Sequence, residues 1–404
     1  MMADVDIRGS LTPLAIMAAL LFAACGSGTS SAAPSASSSA APSVSTGAPT
    51  SAATATTGPA SPLPTATPTP APAVIDADLS AALAYATADV SWVEFTDWAR
   101  LFGTRPDPSA ESAAIVALSK THAIAASGLM SDAATIRQQW SFGVGDVAWE
   151  AYFGNSDAPF TVLQFRDTFD ISSLGPLMEG RAYTKGAVVD GVQPYAHELD
   201  LTKPFMNQGS QFMTNLGLDI ARHRLIVADS PDSLTAAAQA PAAAQAPASG
   251  PAEGSPVARA LALAAALGSP YAAILSVDPG ACSTFGGGPS LTPPSASATS
   301  GLSALGVTAG TALGFSEAAA GGAAVTVALL YADPANAAAD LAPRSAYAAG
   351  ALNQDGQPYA STVLALANGR TAGDLLIFDG TPAGPVSRVL TAFMRRDLPF
   401  AACP

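Results

Sequence analysis

The stretch RAYTKGAVVDGVQPYA, residues 181–196, returns as SAYAAGALNQDGQPYA, residues 345–360, and the two align without a gap at eight identities in sixteen positions. Each copy closes a longer parallel. Upstream of the first stand FGVGDVAWEAYFG and APFTVLQFRD, rich in the β-branched and aromatic residues of strands and separated by the turn signal NSD. Upstream of the second stand LGVTAGTALGFSE and AAVTVALLYAD, separated by AAAGG. The spacings agree: Gly143 to Tyr195 is 52 residues and Gly306 to Tyr359 is 53.

In each half the second of these strands ends in an aspartate, Asp167 or Asp333, followed by a helix-like segment, TFDISSLGPLMEG or PANAAADLAPRSAYAAG. Asp caps helix N-termini by accepting from free backbone N–H groups, and Pro334 sits where a first-turn proline is tolerated. Downstream the pattern predicts strands over 196–201 and 224–229 in the first half, and over 361–366 and 375–379 in the second, each set followed by a helix. VSWVEF and YAAILSV supply one further strand ahead of each half. Short turns between neighbouring strands imply antiparallel pairing. The expected fold is therefore α+β: a tandem duplication of an antiparallel strand-strand-helix-strand-strand-helix unit, giving two packed lobes. DGVQPYA and DGQPYA read as a turn followed by the start of a strand, with Pro fixing φ. The repeated pair Tyr195 and Tyr359, with Gln193 and Gln357, is the candidate for a symmetric binding site where the lobes meet; packing at a strand start fits the same residues.

Not all of the 404 residues belong to that fold. Residues 11–24, LTPLAIMAALLFAA, have the length of a signal-peptide core, too short to span a bilayer, and end directly before Cys25. Residues 1–24 are thus expected to be an export signal. LFAAC resembles the lipobox of bacterial lipoproteins, with Phe22 where Leu is commonest, and the resemblance implies that Cys25 becomes a lipidated N-terminus. An ordinary cleaved signal with an incidental cysteine is the alternative. From Gly26 to Val74 the chain is almost wholly Ser, Ala, Thr, Pro and Gly without a charge or an aromatic, so it cannot bury enough apolar surface to offset its ordering entropy. Residues 25–75 read as a disordered tether, roughly 150 Å long at full extension. The remainder divides into a first lobe, 76–240, with a helical insertion at 107–140 opened by Asp107 and Pro108; an Ala/Pro linker, 241–256; and a second lobe, 257–404.

The chain carries 17 basic and 31 acidic residues, a formal net charge of −14. Removing Arg8, Asp4 and Asp6 with the signal leaves 16 against 29, or −13. No basic footprint for a phosphate backbone exists, which argues against nucleic acid as a partner. Cysteines occur only at 25, 282 and 403. With Cys25 lipidated, the other two form an even pair in an oxidising compartment, and a Cys282–Cys403 disulfide is expected. Closing so long a loop is worth about 4–5 kcal/mol on the chain-entropy argument. Two buried free thiols are the alternative.

Chemistry-bearing motifs are scarce. The three histidines, His122, His197 and His223, are scattered, and without HExxH or CxxC no metal site is expected. His122 falls on an apolar stripe with Ile115, Leu118, Ala125 and Leu129, which reads as a half-buried helix position. There is no GxSxG elbow, no SxxK and no glycine-rich phosphate loop after a strand, so neither a nucleophile nor a cofactor is expected. Glu94, Asp97, Asp146, Glu150, Asp167 and Asp170 make the first half rich in carboxylates; they read as helix caps and loop ends, with a general-acid pair as the sharper alternative. All four tryptophans, Trp92, Trp98, Trp140 and Trp149, lie in the first half. Strand alternation puts Trp92 and Trp149 toward a core, and the sharper reading is an aromatic platform for a glycan or a protein partner.

FTDW, the paired QPYA blocks and the terminal RRDLPFAACP resemble a group of uncharacterised secreted lipoproteins of high-GC bacteria, which implies location and a globular body but carries no activity. The expected function is that of a lipid-anchored, non-catalytic binding or interaction module on the extracytoplasmic face of the cell membrane, reaching an envelope protein or a glycan. A solute-binding lipoprotein of an importer, which requires β-α-β units, and an extracytoplasmic hydrolase with paired carboxylates are the alternatives.

Overall fold

The computed structural model describes residues 75–404 other than 125–126, 132, 155–157, 198–212, 245–253, 279–303, 320, 354, 396 and 403–404. The expected signal peptide, nearly all of the tether, Cys25, Cys282 and Cys403 lie outside the described residues, and so does the expected disulfide.

The first half runs α1 (Ala77–Leu83), β1 (Trp92–Asp97), α2 (Trp98–Phe102), α3 (Glu111–Ser119), α4 (Gly128–Ser131), α5 (Ala133–Trp140), β2 (Val147–Gly154), β3 (Phe160–Phe165), α6 (Leu174–Gly180), β4 (Thr184–Lys185), β5 (Gln193–Ala196), β6 (Asn215–Asp219), β7 (Arg224–Ala228) and α7 (Pro231–Ala244). The second runs α8 (Pro256–Leu267), β8 (Ala272–Ser276), β9 (Gly310–Glu317), β10 (Ala323–Leu330), α9 (Pro334–Gly350), α10 (Tyr359–Thr362), β11 (Leu364–Ala372), β12 (Leu375–Pro382) and α11 (Ser387–Met394). The class is α+β, and every strand pairing is antiparallel.

All twelve described strands form one sheet, in the order β11-β12-β10-β9-β8-β1-β2-β3-β7-β6-β5-β4. The halves are therefore not two lobes packed face on face. They join edge to edge, where β1 pairs with β8 from Trp92↔Ser276 to Thr96↔Ala272. The physical reason lies in the apolar content of these two strands: Phe95, Ala273 and Leu275 are buried on one face while Ala272 and Ile274 are buried on the other, and neither strand tolerates an open edge. Read outward from that junction, both directions give three strands in chain order, then the far strand of a hairpin, then its near strand.

One face of the sheet is covered by α1, α7 and α8, through Leu79, Leu83, Leu234, Ala238, Leu263 and Leu267. Helix α8 shows why the sequence does this. Ser255 caps it by accepting from Ala258 N at 3.2 Å, Pro256 occupies its first turn, and its alanines and leucines recur at helical spacing. It lies close because β9 offers glycines beneath it: a Cβ on Gly314 would sit 3.1 Å from Leu267. The other face carries two separate cores, one under α2 to α6 in the first half and one under α9 to α11 in the second.

Several sequence expectations change. The second QPYA does not start a strand: Pro358, at φ −57°, opens α10 instead. β11 holds the place beside β12 with its outer edge unpaired among the described strands, whereas the first QPYA pairs as β5 with the equivalent edge of β6. Strand β6, NLGLD, was not expected, because it contains no β-branched or aromatic residue. The expected linker begins late, since α7 continues through Pro241 to Ala244. Asp333 caps α9 and Asp97 caps α2 as expected. Asp107 holds the turn before α3 rather than capping it, and Asp170 takes the cap expected of Asp167. Residues 107–140 carry the three helices α3, α4 and α5.

Candidate functional site

Between the two cores of the second face runs a strip of sheet that the helices leave partly open. One cross-strand row defines it: Val227 pairs with Thr161, Thr161 with Tyr152, Tyr152 with Glu94, and Glu94 with Ile274. Val227, Thr161, Tyr152 and Glu94 are half-buried, whereas Leu216 on one side and Ile274 and Leu313 on the other are fully covered. Trp92, two residues before Glu94 on β1, shares its face because side chains alternate along a strand. Trp92 is also half-buried. Its indole Nε1 donates to Glu94 Oε1 at 2.8 Å, and its ring leans on Phe393 of α11 with centroids 5.2 Å apart.

Glu94 is the chemically distinctive group. Burial raises its carboxyl from the ordinary 4.5 to about 7, the Trp92 indole opposes that rise, and the neighbouring charge of Glu150 adds to it. Glu150 stands on β2 opposite Thr96, diagonal to Glu94 on the same face. It is 3% exposed and accepts from Trp98 Nε1 at 3.2 Å, Leu129 N at 3.2 Å, Gly128 N and the Ser127 hydroxyl. Burial raises its carboxyl as well. Glu150 is thus a post to which α2 and the α4 turn are tied, with its acceptor capacity filled. Tyr152 is pushed up to about 12 by burial, with the charges of Glu94 and Asp229 adding to the effect. The strip therefore presents an indole edge, a phenol and a carboxyl that changes protonation near neutral pH, so that it donates below that point and accepts above it.

Most of the other acids that the sequence singles out are engaged in structure. Asp97 accepts from Arg100 N at 2.8 Å, and burial raises it to about 6. Asp146 binds Arg137 and Arg105, each at 2.6 Å, while Glu111 binds the same Arg137. Asp170 caps a 3-10 turn, and Asp167 lies exposed in the turn before it. Among the tryptophans, Trp98, Trp140 and Trp149 are fully buried, which leaves Trp92 as the member of the set that faces the strip.

The expected symmetric site does not assemble. Tyr195 lies on β5, 3% exposed, in the core of the first half; Tyr359 lies on α10, 1% exposed, in that of the second. They flank opposite ends of the sheet. Gln193 donates to Gly186 O at 2.7 Å, and Gln357 is exposed with its backbone N bonded to Asn353 Oδ1. His122 is half-buried as expected but past the end of α3, edge-on to Tyr271; His197 stacks on Tyr183 and His223 sits in the β6–β7 turn. Among the described residues no group of three or more His, Cys, Asp or Glu could hold a metal ion. The sequence signal for the strip was the pair Trp92 and Glu94 at strand spacing inside VSWVEF, a charge where the alternation calls for one face of a covered strand.

Among the described residues no helix is long and apolar enough to cross a membrane. No family model and no curated protein matches the chain. A solved structure, crystal form IV of TP0453, is similar at 11% identity and TM-score 0.38 over 79% of this chain and 98% of its own length, too distant a likeness to carry an argument.

Proposed function

We propose that this chain is a lipid-anchored, extracytoplasmic binding protein without catalytic activity, and that the Trp92–Glu94–Tyr152 strip is its ligand-contact surface, for a glycan of the envelope. One observation carries the reading. Of the acids singled out in the sequence, Asp97, Asp146 and Asp170 are committed to caps or ion pairs, Glu150 is filled and Asp167 lies exposed in a turn, whereas Glu94 stands half-buried beside an aromatic edge, the combination that a hydroxyl-rich ligand uses for stacking and hydrogen bonding. The lipobox-like LFAAC, the charge-free tether and the net charge of −14 support the location. The repeated sequence blocks and the strand order read alike from the β1–β8 junction support a tandem duplication, with 107–140 as an insertion in the first copy and the aligned blocks 181–196 and 345–360 folded differently.

The other readings draw less support. An importer's solute-binding protein needs parallel β-α-β units, and these pairings are antiparallel. A carboxylate-pair hydrolase needs a second available acid beside Glu94, and Glu150 is filled by four donors. The test is a fluorescence titration of the full chain with soluble envelope glycan fragments, comparing Trp92→Phe and Glu94→Gln. Saturable quenching that is lost in Trp92→Phe and weakened in Glu94→Gln supports the strip; identical titrations in all three remove it. Metabolic labelling with an alkynyl fatty acid tests the anchor, with label expected on the native chain and not on Cys25→Ser.

A further inference from the structure

A second feature of the molecule stands apart from the strip. Where the chain enters β9, residues 304–309 and the first turns of α9 enclose an open depression of about 500 Å³. Its walls are mostly methyl-bearing: Leu305, Val307, Ala309 and Ala339 supply them, with Asn336, Thr308 and Asp340 as the polar members. Two of these polar groups are almost fully buried and incompletely bonded. Asp340 is 2% exposed, and its Oδ1 has no hydrogen-bond partner among the described residues; the same holds for the buried Thr308 hydroxyl. A buried acceptor left unmade costs free energy, so its retention asks for a partner.

The neighbouring cation cannot serve. Arg344 is wholly buried and gives Nε to Asp340 Oδ2 at 2.6 Å, Nη1 to the carbonyls of Phe400 and Ala402 at 3.0 and 2.8 Å, and Nη2 to Gly306 O at 2.6 Å. Tyr331 donates to the same Oδ2. The arginine is held on all sides and does not reach Oδ1.

The first half offers a comparison. The stretch that the repeat aligns with Gly306–Ala309 is Gly143–Asp146, and there the insertion packs over it. A Cβ on Gly145 would lie 2.7 Å from Pro106, and one on Gly143 would collide with Glu111 and Arg137. In that half a side-chain cation, Arg137, lies against the stretch and holds Asp146 at 2.6 Å. In the second half Arg344 reaches the stretch through Gly306 O, and among the described residues no cation reaches Asp340 Oδ1 or the Thr308 hydroxyl.

We infer that the depression beside Thr308 and Asp340 is a second binding site, for a small ligand that carries a primary ammonium on a short aliphatic body. The site presents two acceptors without a partner among the described residues, and the Asn336 amide already donates to Asp333 Oδ2 at 2.8 Å, so a carboxylate or phosphate would meet the Asp340 carboxylate with little side-chain compensation. An ammonium brings three N–H donors and can serve both acceptors at once, whereas an alcohol brings one. The acidity of the chain as a whole draws a cation toward it. The alkyl lining takes the aliphatic body, with the exposed Val307 at the lip.

Saturation-transfer NMR on the full chain with n-hexylammonium, n-hexanol and n-hexanoate tests this. The ammonium is expected to saturate, the alcohol to bind about tenfold more weakly, and the carboxylate to give no signal. Thr308→Val removes one acceptor without changing shape and should weaken the ammonium about three- to tenfold, the range for one hydrogen bond. Ala339→Trp, at an exposed helix position that does not disturb the core, should fill the depression and abolish binding, with the melting temperature as the check on folding. Binding of the alcohol or carboxylate as tight as that of the ammonium overturns the inference. So does a signal unchanged by Ala339→Trp, or no binding by any probe to the folded native chain.

Discussion

Replacing Glu94 by Gln should change how stability depends on pH. In the folded chain the Glu94 carboxyl titrates near 7, against an ordinary 4.5. Between these values the folded chain keeps a proton that the unfolded chain has released, so stability falls as pH rises through the window and is fully present below 4.5. At about 1.4 kcal/mol for each pH step, the span is worth at most about 3 kcal/mol, and less to the extent that the half-open side chain retains water. Gln keeps an acceptor for the Trp92 indole and cannot titrate. Urea unfolding of the native chain and Glu94→Gln at pH 5, 6, 7 and 8 reads the effect. The variant should gain on the native chain by about 2–3 kcal/mol between pH 5 and 8. Asp97 also sits above its ordinary value but titrates in both proteins and cancels, so the difference between the two curves reports Glu94 together with its coupling to Glu150. Parallel curves would show that the strip is wetter than its burial indicates and would refute the reasoning.

Arg344→Met strands the buried Asp340 charge and releases three carbonyls, so a loss of about 3–5 kcal/mol is expected in chemical denaturation, with faster hydrogen exchange in residues 398–402. Glu150→Leu leaves the Trp98 indole and the Ser127, Gly128 and Leu129 donors without their acceptor; limited proteolysis should then cut within 107–140 while leaving the rest of the fold intact. For the proposed Cys282–Cys403 disulfide, non-reducing peptide mapping should recover the two cysteines on one linked species. Reduction should then lower stability by about 4 kcal/mol.

What the sequence made legible was whatever rests on local pattern. AWEAYFG and FTVLQF show strand composition over enough residues to be read as β2 and β3, and the Asp before a helix reads as a cap at Asp97 and Asp333. What failed rests on neighbours distant in the chain. QPYA is a strand in one place and a helical turn in the other although both β6 and β11 present an outer edge beside it, so the tetrapeptide alone does not decide its conformation. NLGLD forms β6 although its composition disfavours it, because β5 and β7 enclose it. Glu94 looked like any other acid of the first half; its unusual protonation comes from burial between the cores on either side and from Glu150 on the next strand, against the opposing hydrogen bond of Trp92. Tyr195 and Tyr359 were joined by their repetition, yet repetition about a shared junction sends equivalent outer residues to opposite ends.

The junction of β1 with β8 also bears on how the chain comes to be folded. Trp92 meets Ser276, so the strand that begins the sheet waits for a partner made some 180 residues later. Until then β1 is the exposed margin of a partly built sheet, with Val93 and Phe95 beside a row of unpaired amides, the arrangement that invites another chain to add itself. Contacts so far apart in sequence slow folding, and here the slow contact is the one that seals the molecule's centre. A chain emerging from its N-terminus thus passes through a stage in which its most adhesive edge is complete and its remedy has not yet been synthesised.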